Sequence, residues 1–267
     1  MPTLARLLFS LAVLLPSALL AETTQQEIES RVLHKPLYLR GRWRSDKLHF
    51  DATGRNLGDQ GRLPFTLCGI EVEKVKLKSG KLNLEGKRIG VEFRDDKAER
   101  VALKRDPTAS TENIRIEIDS TPDFTPALTA IFAESLADLA PTLPPYWQTY
   151  ARLHLLPQPK TDPPRTSAPA KSEPNVGGAI TPPKVLQGAE PVFSEAARAL
   201  KYGGSNLIAV TLNEQGQVVT LEVDQAIGLG LDEQAMAAVL KYKFEPAKRN
   251  GQPIATQIKM EVKFEIY

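Results

Sequence analysis

The chain holds little of what a disulfide scaffold, a metal centre or a membrane span requires. Cys68 is the single cysteine in 267 residues. One cysteine forms no internal disulfide and no cysteine pair for zinc. The plain reading of Cys68 is a small buried apolar residue in a strand, with an intermolecular bridge as the alternative. The three histidines, His34, His49 and His154, lie far apart and share no ligand spacing. Neither charge sign is in excess, and a net charge of +2 gives no signal for nucleic acid or another polyanion. No Gly-x-Ser-x-Gly elbow is present. Gly228-Leu229-Gly230 precedes a helix but lacks the third glycine and the lysine of a phosphate loop. Asp95 and Asp96 fall in a tight turn, where a solvated role outweighs a catalytic pair. No catalytic residue, metal ligand or cofactor is therefore assigned, and the reading is not an enzyme. An exported enzyme housed in residues 36–155, with a triad built from distant residues, stays as a third alternative.

The longest apolar run, residues 7–21, is short of the roughly 20 residues that a spanning helix needs. Arg6 precedes it, small residues end it, and Pro16 interrupts it. This pattern predicts a signal peptide, residues 1–21, cleaved after Ala21 to leave a periplasmic protein. Leu19 stands where cleavage signals more often carry alanine, so retention as an inner-membrane anchor facing the periplasm is the alternative.

Prolines, by contrast, are plentiful at 21, and they cluster. Residues 156–183 are rich in proline, serine, threonine and lysine and poor in large apolar side chains. That composition predicts an extended linker. Residues 22–155 before it read as a β-rich domain, and residues 184–267 after it as a small α+β domain. Two independently folding units are expected.

Within the first domain the pattern is mainly antiparallel β. Ser79-Gly80 between Leu77 and Leu82 is a two-residue hairpin turn, and the apolar phase slips between Val72 and Val75, which predicts a bulge. Ile89, Val91 and Phe93 form another strand, and Ile114, Ile116 and Ile118 alternate with charge. Thr125-Pro126 reads as the start of one helix reaching Leu139, with Leu128, Ile131, Phe132, Leu136 and Leu139 on its apolar face. Covering the sheet is the plain role of that face, and a membrane-lying helix is disfavoured because its polar face lacks lysine and arginine. Tyr146, Trp147 and Tyr150 pack back on the same domain, or form a ligand platform.

In the second domain the order is helix, strand, strand, helix, strand. Ser194 caps a first helix that Gly203 and Gly204 stop. Residues 206–212 and 218–223 make a hairpin around Asn213–Gly216. Asp232 reads as the cap of a second helix with Ala235, Val239 and Leu240 inward, and Leu231 and Phe244 as core. The last strand places Ile258, Met260, Val262, Phe264 and Ile266 on one face and Lys259, Glu261, Lys263 and Glu265 on the other. Alternating charge of that kind is what an edge strand carries against indiscriminate pairing.

This stretch resembles the C-terminal domain of TonB-type energy transducers. The resemblance rests on Pro191 and Phe193, Glu195-Ala196-Ala197-Arg198, Gly203 and Gly204, Asn213 to Gly216, and Gly228. It continues through Leu231-Asp232-Glu233-Gln234-Ala235, Phe244-Glu245-Pro246-Ala247, Gly251, Pro253 and the closing strand. The family usually has Tyr-Pro where this chain has Phe193-Ser194. The resemblance implies two helices packed on an antiparallel sheet, and an outer-membrane TonB-dependent receptor whose extended segment adds beside the last strand. It makes Pro191, Phe193, Gln257, Lys259, Glu261 and Lys263 the partner-binding residues, with the outward N–H sought at Lys259 or Glu261. An inner-membrane proton-driven motor is a further partner in that family, and a homodimer stays open. A cleaved leader and the inserted β-rich domain depart from the anchored members and support periplasmic peptide binding better than energy transfer. An envelope scaffold without a transport role is the runner-up.

Overall fold

The computed structural model describes residues 24–58, 61, 63, 65–103, 113–157 and 180–266. The apolar run 1–21 and most of the linker lie outside the described residues. No helix among those described is long and apolar enough to cross a membrane. The fold is mixed α+β.

The first region opens with α1 (Gln25–Val32), capped at Thr24. The Thr24 hydroxyl accepts from the Glu27 N–H, and the Glu27 carboxylate accepts in turn from the Thr24 N–H. That reciprocal pair satisfies two of the N–H groups a helix start leaves open. Six strands follow: β1 (Pro36–Leu39), β2 (Lys47–Phe50), β3 (Cys68–Lys78), β4 (Lys81–Arg94), β5 (Lys97–Ala102) and β6 (Asn113–Ile118). Ser79 and Gly80 both take positive φ, 51° and 75°, which gives the β3–β4 hairpin the turn that matches strand twist. The register slips between Val72 and Lys74, where the apolar phase predicts a bulge. Ile89, Val91 and Phe93 are not a separate strand but the far half of β4. Its near half pairs with β3 and β6, and its far half with β5. Cys68 is buried, and burial pushes its thiol up to about 11, so it is an inert core residue.

The single helix expected from Thr125 to Leu139 is broken. α2 (Thr125–Ile131) gives way to β7 (Phe132–Ala133), which pairs with β1, and α3 (Leu136–Leu139) follows. Leaving the helix lets Phe132 and Ala133 use their backbone groups in the sheet while their side chains stay buried. Thr125 is not the cap. Phe124 occupies that position without a side-chain bond, and the Asp123 carboxylate accepts from the Thr125 N–H. β7 completes a seven-stranded sheet of order β2-β6-β4-β3-β1-β7, with β5 beside β4; the β2–β6 pairing is parallel. A turn of 3₁₀ helix, α4 (Pro145–Tyr150) and a π turn over Ala151–Leu155 end the region.

The second region begins with two short strands, β8 (Ile180–Thr181) and β9 (Lys184–Gln187), then α5 (Glu195–Leu200). The Ser194 hydroxyl accepts from the Ala197 N–H and caps α5 as expected. The helix stops at Lys201, in the left-handed conformation, ahead of the two glycines. β10 (Gly204–Leu212) and β11 (Val218–Gln225) form the hairpin, and α6 (Leu231–Val239) follows. Three short strands, β12 (Lys243–Glu245), β13 (Ala247–Arg249) and β14 (Gln252–Ile254), precede β15 (Thr256–Phe264). The main sheet is β11-β10-β15; β9 pairs with β12, and β8 and β14 flank β13. Ile208, Val210 and Leu212 turn inward together with Leu231, Ala235, Val239 and Phe244. Leu240, expected inside, is exposed, because α6 ends one residue earlier.

The two regions meet over a buried interface that the pattern of the chain does not announce. Beyond Gly90, where β3 ends, the free side of β4 is taken by the loop before α6. The Phe93 N–H donates to the Ile227 carbonyl at 3.0 Å, and the Leu229 N–H to the Val91 carbonyl at 2.8 Å. A bridge joins Glu92 to Gly228. Gly228 has φ of 86°, and a Cβ there would lie 2.2 Å from the Val91 carbonyl oxygen, so only glycine permits this approach. The Tyr202 hydroxyl lies 2.9 Å from the Phe93 carbonyl and 3.0 Å from the Ile227 carbonyl. α4 packs against β11, with the Thr149 hydroxyl donating to the Glu222 carboxylate at 3.0 Å. Trp147 and Tyr150 are buried with Phe93 rather than displayed as a platform.

Candidate functional site

β15 pairs with β10 over nine consecutive residues without a register slip, and no strand lies on its other side among the described residues. It is an edge strand nine residues long. The opposite edge of the same sheet, β11, has α4 against it. Of the two edges of this sheet, β15 is therefore the open one.

Side-chain alternation along β15 follows the expected pattern. Val262 and Phe264 are buried, Ile258 and Met260 half-buried, and Gln257, Lys259, Glu261 and Lys263 exposed on the outer face. Ile266 lies past the strand and is exposed. The outer charges are held in pairs. The Lys259 ammonium lies 2.8 Å from the Asp224 carboxylate of β11, and Lys263 lies 4.0 Å from Glu261. Exposed pairs like these contribute about 0–1 kcal/mol. Their effect is to make the outer face electrically neutral while still penalising an apolar strand that would cover it.

Lys259 and Glu261 do not differ in the direction of their N–H groups. In an unbroken antiparallel strand alternate residues point to opposite neighbours, so these two share one direction and Met260 has the other. The outward donors are therefore those of Lys259 and Glu261 together, or that of Met260 between them.

Phe193 comes to the far end of the strand, at Phe264. Phe193 is half-buried and packs edge-on against Phe264, with ring centroids 5.4 Å apart at 80°. Pro191 is half-buried and Val192 exposed just before it. Phe193 therefore anchors the lead-in segment to the strand rather than standing free. The structure thus brings Phe193 to Phe264 on β15, the strand that carries Gln257, Lys259, Glu261 and Lys263.

Sequence reasoning missed the polar core behind this sheet. Asp232 is fully buried inside α6 and is not its cap; Gly230, in the left-handed conformation, holds that position. The Asp232 carboxylate accepts from the Ile227 N–H at 3.1 Å, the Gly228 N–H at 2.7 Å and the Asn206 amide at 3.1 Å. It shapes the very loop that joins β4. Burial, reinforced by the neighbouring Glu233, pushes its carboxyl up to about 7. Glu233 accepts from the Trp147 indole N–H at 3.2 Å and the Thr66 N–H at 3.1 Å, and burial raises its carboxyl as well. An Asp-Glu pair at a helix start has the signature of ordinary dipole complementation, which concealed both roles.

One further cluster has ligand-bearing groups. His49, Glu117 and Asp119 lie together, but the Lys81 ammonium sits 2.8 Å from Glu117 and 3.2 Å from Asp119. A fixed ammonium already supplies the cation there, and the cluster is an ion-pair network on the sheet surface.

Residues 189–266 match the family described as "Gram-negative bacterial TonB protein C-terminal". Among solved structures, the chain is similar to one titled "Solution NMR structure of Pseudomonas aeruginosa TonB CTD" at 24% identity, covering 32% of this chain and 86% of that one, with a TM-score of 0.28. No curated protein matches. The family consists of energy-transducing interaction proteins that take part in TonB-dependent transport, act in the periplasm and engage outer-membrane receptors. The likeness to the TonB C-terminal family is therefore one of residues 189–266, under a third of the chain.

Proposed function

We propose that the β15 edge receives an extended segment of an outer-membrane receptor by strand addition, and that this contact serves transport. The observation that carries the reading is the asymmetry of the small sheet: α4 lies against β11, while β15 runs long, regular and open. Main-chain N–H and C=O groups along β15 would supply affinity, and the outer charges and Phe193 would set register. In this reading residues 22–155 form an adaptor, 156–183 a linker and 184–267 the receptor-binding unit.

Two proline variants test it. Proline has no N–H and cannot donate to a ladder. Of Lys259→Pro and Met260→Pro, one removes a donor to β10 and should lose the folded circular-dichroism spectrum. The other removes an outward donor and should stay folded while losing a synthetic peptide of the receptor segment in fluorescence polarisation. Lys259→Ala, which keeps its N–H, should weaken binding only modestly. Wild-type affinity in the folded proline variant would overturn strand addition at this edge.

The site of action has its own test. The reading includes removal of residues 1–21, so mass spectrometry of the protein from cells should find Glu22 as the first residue. An intact Met1 would instead support an anchored protein in contact with the inner-membrane proton-driven motor.

A further inference from the structure

A pocket of about 260 Å³ opens between the segment that follows β1 and the turn that leads from α3 to α4. Trp43, Leu139, Leu143 and Pro144 form its apolar walls. Among the described residues that line it, Arg40 and Arg42 are charged and none is acidic. Trp43 is held edge-on against Phe50, with ring centroids 5.0 Å apart at 80°. A Cβ on Gly41 would run into the Trp43 ring, so the glycine between the two arginines is what lets the indole lie against the chain.

The two guanidiniums are held differently. Arg40 donates from Nε to the Thr129 and Phe132 carbonyls at 3.0 and 3.1 Å, and from Nη1 to the Asp138 carbonyl at 2.8 Å. These bonds fix the cation without neutralising it. Arg42 is half-buried, and its guanidinium has no hydrogen bond or ion pair among the described residues. Arg88 adds a third cation beneath the same segment. It is fully buried, donates to the Trp43 carbonyl at 3.0 Å and the Ser45 carbonyl at 2.8 Å, and leaves Nε unpaired. Asp46 acts on Arg88 only at a distance. Glu233 meets Thr66 on the pocket wall, but its carboxylate is taken up by the Thr66 N–H and the Trp147 indole. Three guanidiniums thus share one short stretch of chain and bond only neutral carbonyls. Cations gathered where water is partly excluded are costly, and an anion brought to them recovers part of that cost. A guanidinium with its donors free offers the two-pronged face that a carboxylate fits. The indole and the apolar walls beside it suit an organic body rather than a bare, strongly hydrated ion.

We propose that this pocket binds a small organic carboxylate, its charged group on Arg42 and its apolar body between Trp43 and Leu143. Every lining residue belongs to the first region, so the site does not depend on the reading of the β15 edge.

The test uses the full chain, labelled with ¹⁵N, at constant ionic strength, and three probes: benzoate, its neutral isostere benzamide, and inorganic phosphate. Benzoate should saturate and shift the amides of residues 41–43, 66 and 142–143 together with the Trp43 indole N–H. Benzamide and phosphate should each bind roughly tenfold more weakly or worse. Arg42→Gln removes a cation that bonds nothing else among the described residues, so it should keep the melting temperature while lowering benzoate affinity roughly tenfold. Arg42→Lys keeps the charge without the fork and should fall between the two. Equal affinity for benzoate and benzamide, phosphate binding as tight as benzoate, wild-type affinity in Arg42→Gln, shifts confined to other residues, or no saturable binding would each overturn the proposal.

Discussion

Asp232 sits where a capping residue belongs in the sequence, two positions after Gly230, yet its carboxylate turns back into the protein and holds the Ile227 and Gly228 amides. These donors favour the ionised form, and burial without a cation opposes it. Burial wins, and the carboxyl rises from an ordinary value near 3.8 to about 7. The Asn206 carbonyl oxygen is buried beside it without a partner, so a proton on Asp232 has an acceptor to meet if the amide turns. The sign of the linkage follows. The folded state holds this proton more tightly than the unfolded state, so the contribution to stability is full below about pH 4 and is lost as pH rises through about 7. Glu233, also raised, acts in the same direction. Thermal melts between about pH 5 and pH 8 should show the wild-type midpoint falling with pH more steeply than that of Asp232→Asn, which mimics the protonated form. Parallel curves for the two proteins would place the proton elsewhere. A single sequence could not disclose this residue, because the spacing Gly-Leu-Asp-Glu is equally that of an exposed helix start.

At the scale of elements, legibility tracked whether local pattern or a distant partner decided the outcome. The β3–β4 hairpin, its bulge, the β10–β11 hairpin and the alternation along β15 were all readable, because turn chemistry and period-two burial are local. The helix drawn from Thr125 to Leu139 was not. Its spacing fits a helix throughout, but β1 needs a neighbour and takes Phe132 and Ala133. That demand comes from residues about ninety positions away, as the pairs Tyr38↔Ala133 and Leu39↔Phe132 record. The β15 edge was legible as a strand with charged alternation, but its openness rests on α4 lying against β11, which no local signal carries. Phe244 was placed in the core by its position before Pro246, and it is 5% exposed in β12, opposite Val185 of β9. Truncating a buried phenylalanine typically costs about 3–5 kcal/mol. Phe244→Ala should therefore lower the melting temperature sharply by calorimetry. An unchanged melt with lost peptide binding would move its role from packing to recognition.

At the scale of the whole molecule, two regions expected to fold independently share one continuous apolar core. The contact is not a loose surface encounter. It includes a short main-chain ladder, a glycine that admits no side chain, a tyrosine hydroxyl bridging carbonyls of both regions, and an indole bonded to a half-buried carboxylate. Separating the regions would expose the apolar side chains of the shared core to water, which is the main cost that opposes it. A load applied at β15 would then pass through β10, β11 and the 227–229 loop into the large sheet, without needing the segment between the regions. A protease site inserted within residues 158–179 tests this arrangement directly. After cleavage the two fragments of the otherwise native chain should elute together in size-exclusion chromatography and melt in a single transition. With Gly228→Val the side chain would collide with the Val91 carbonyl, and the cleaved fragments should elute apart while each keeps its own secondary structure. Separate elution of the cleaved native chain would mean that the interface is too weak to hold the two regions together by itself.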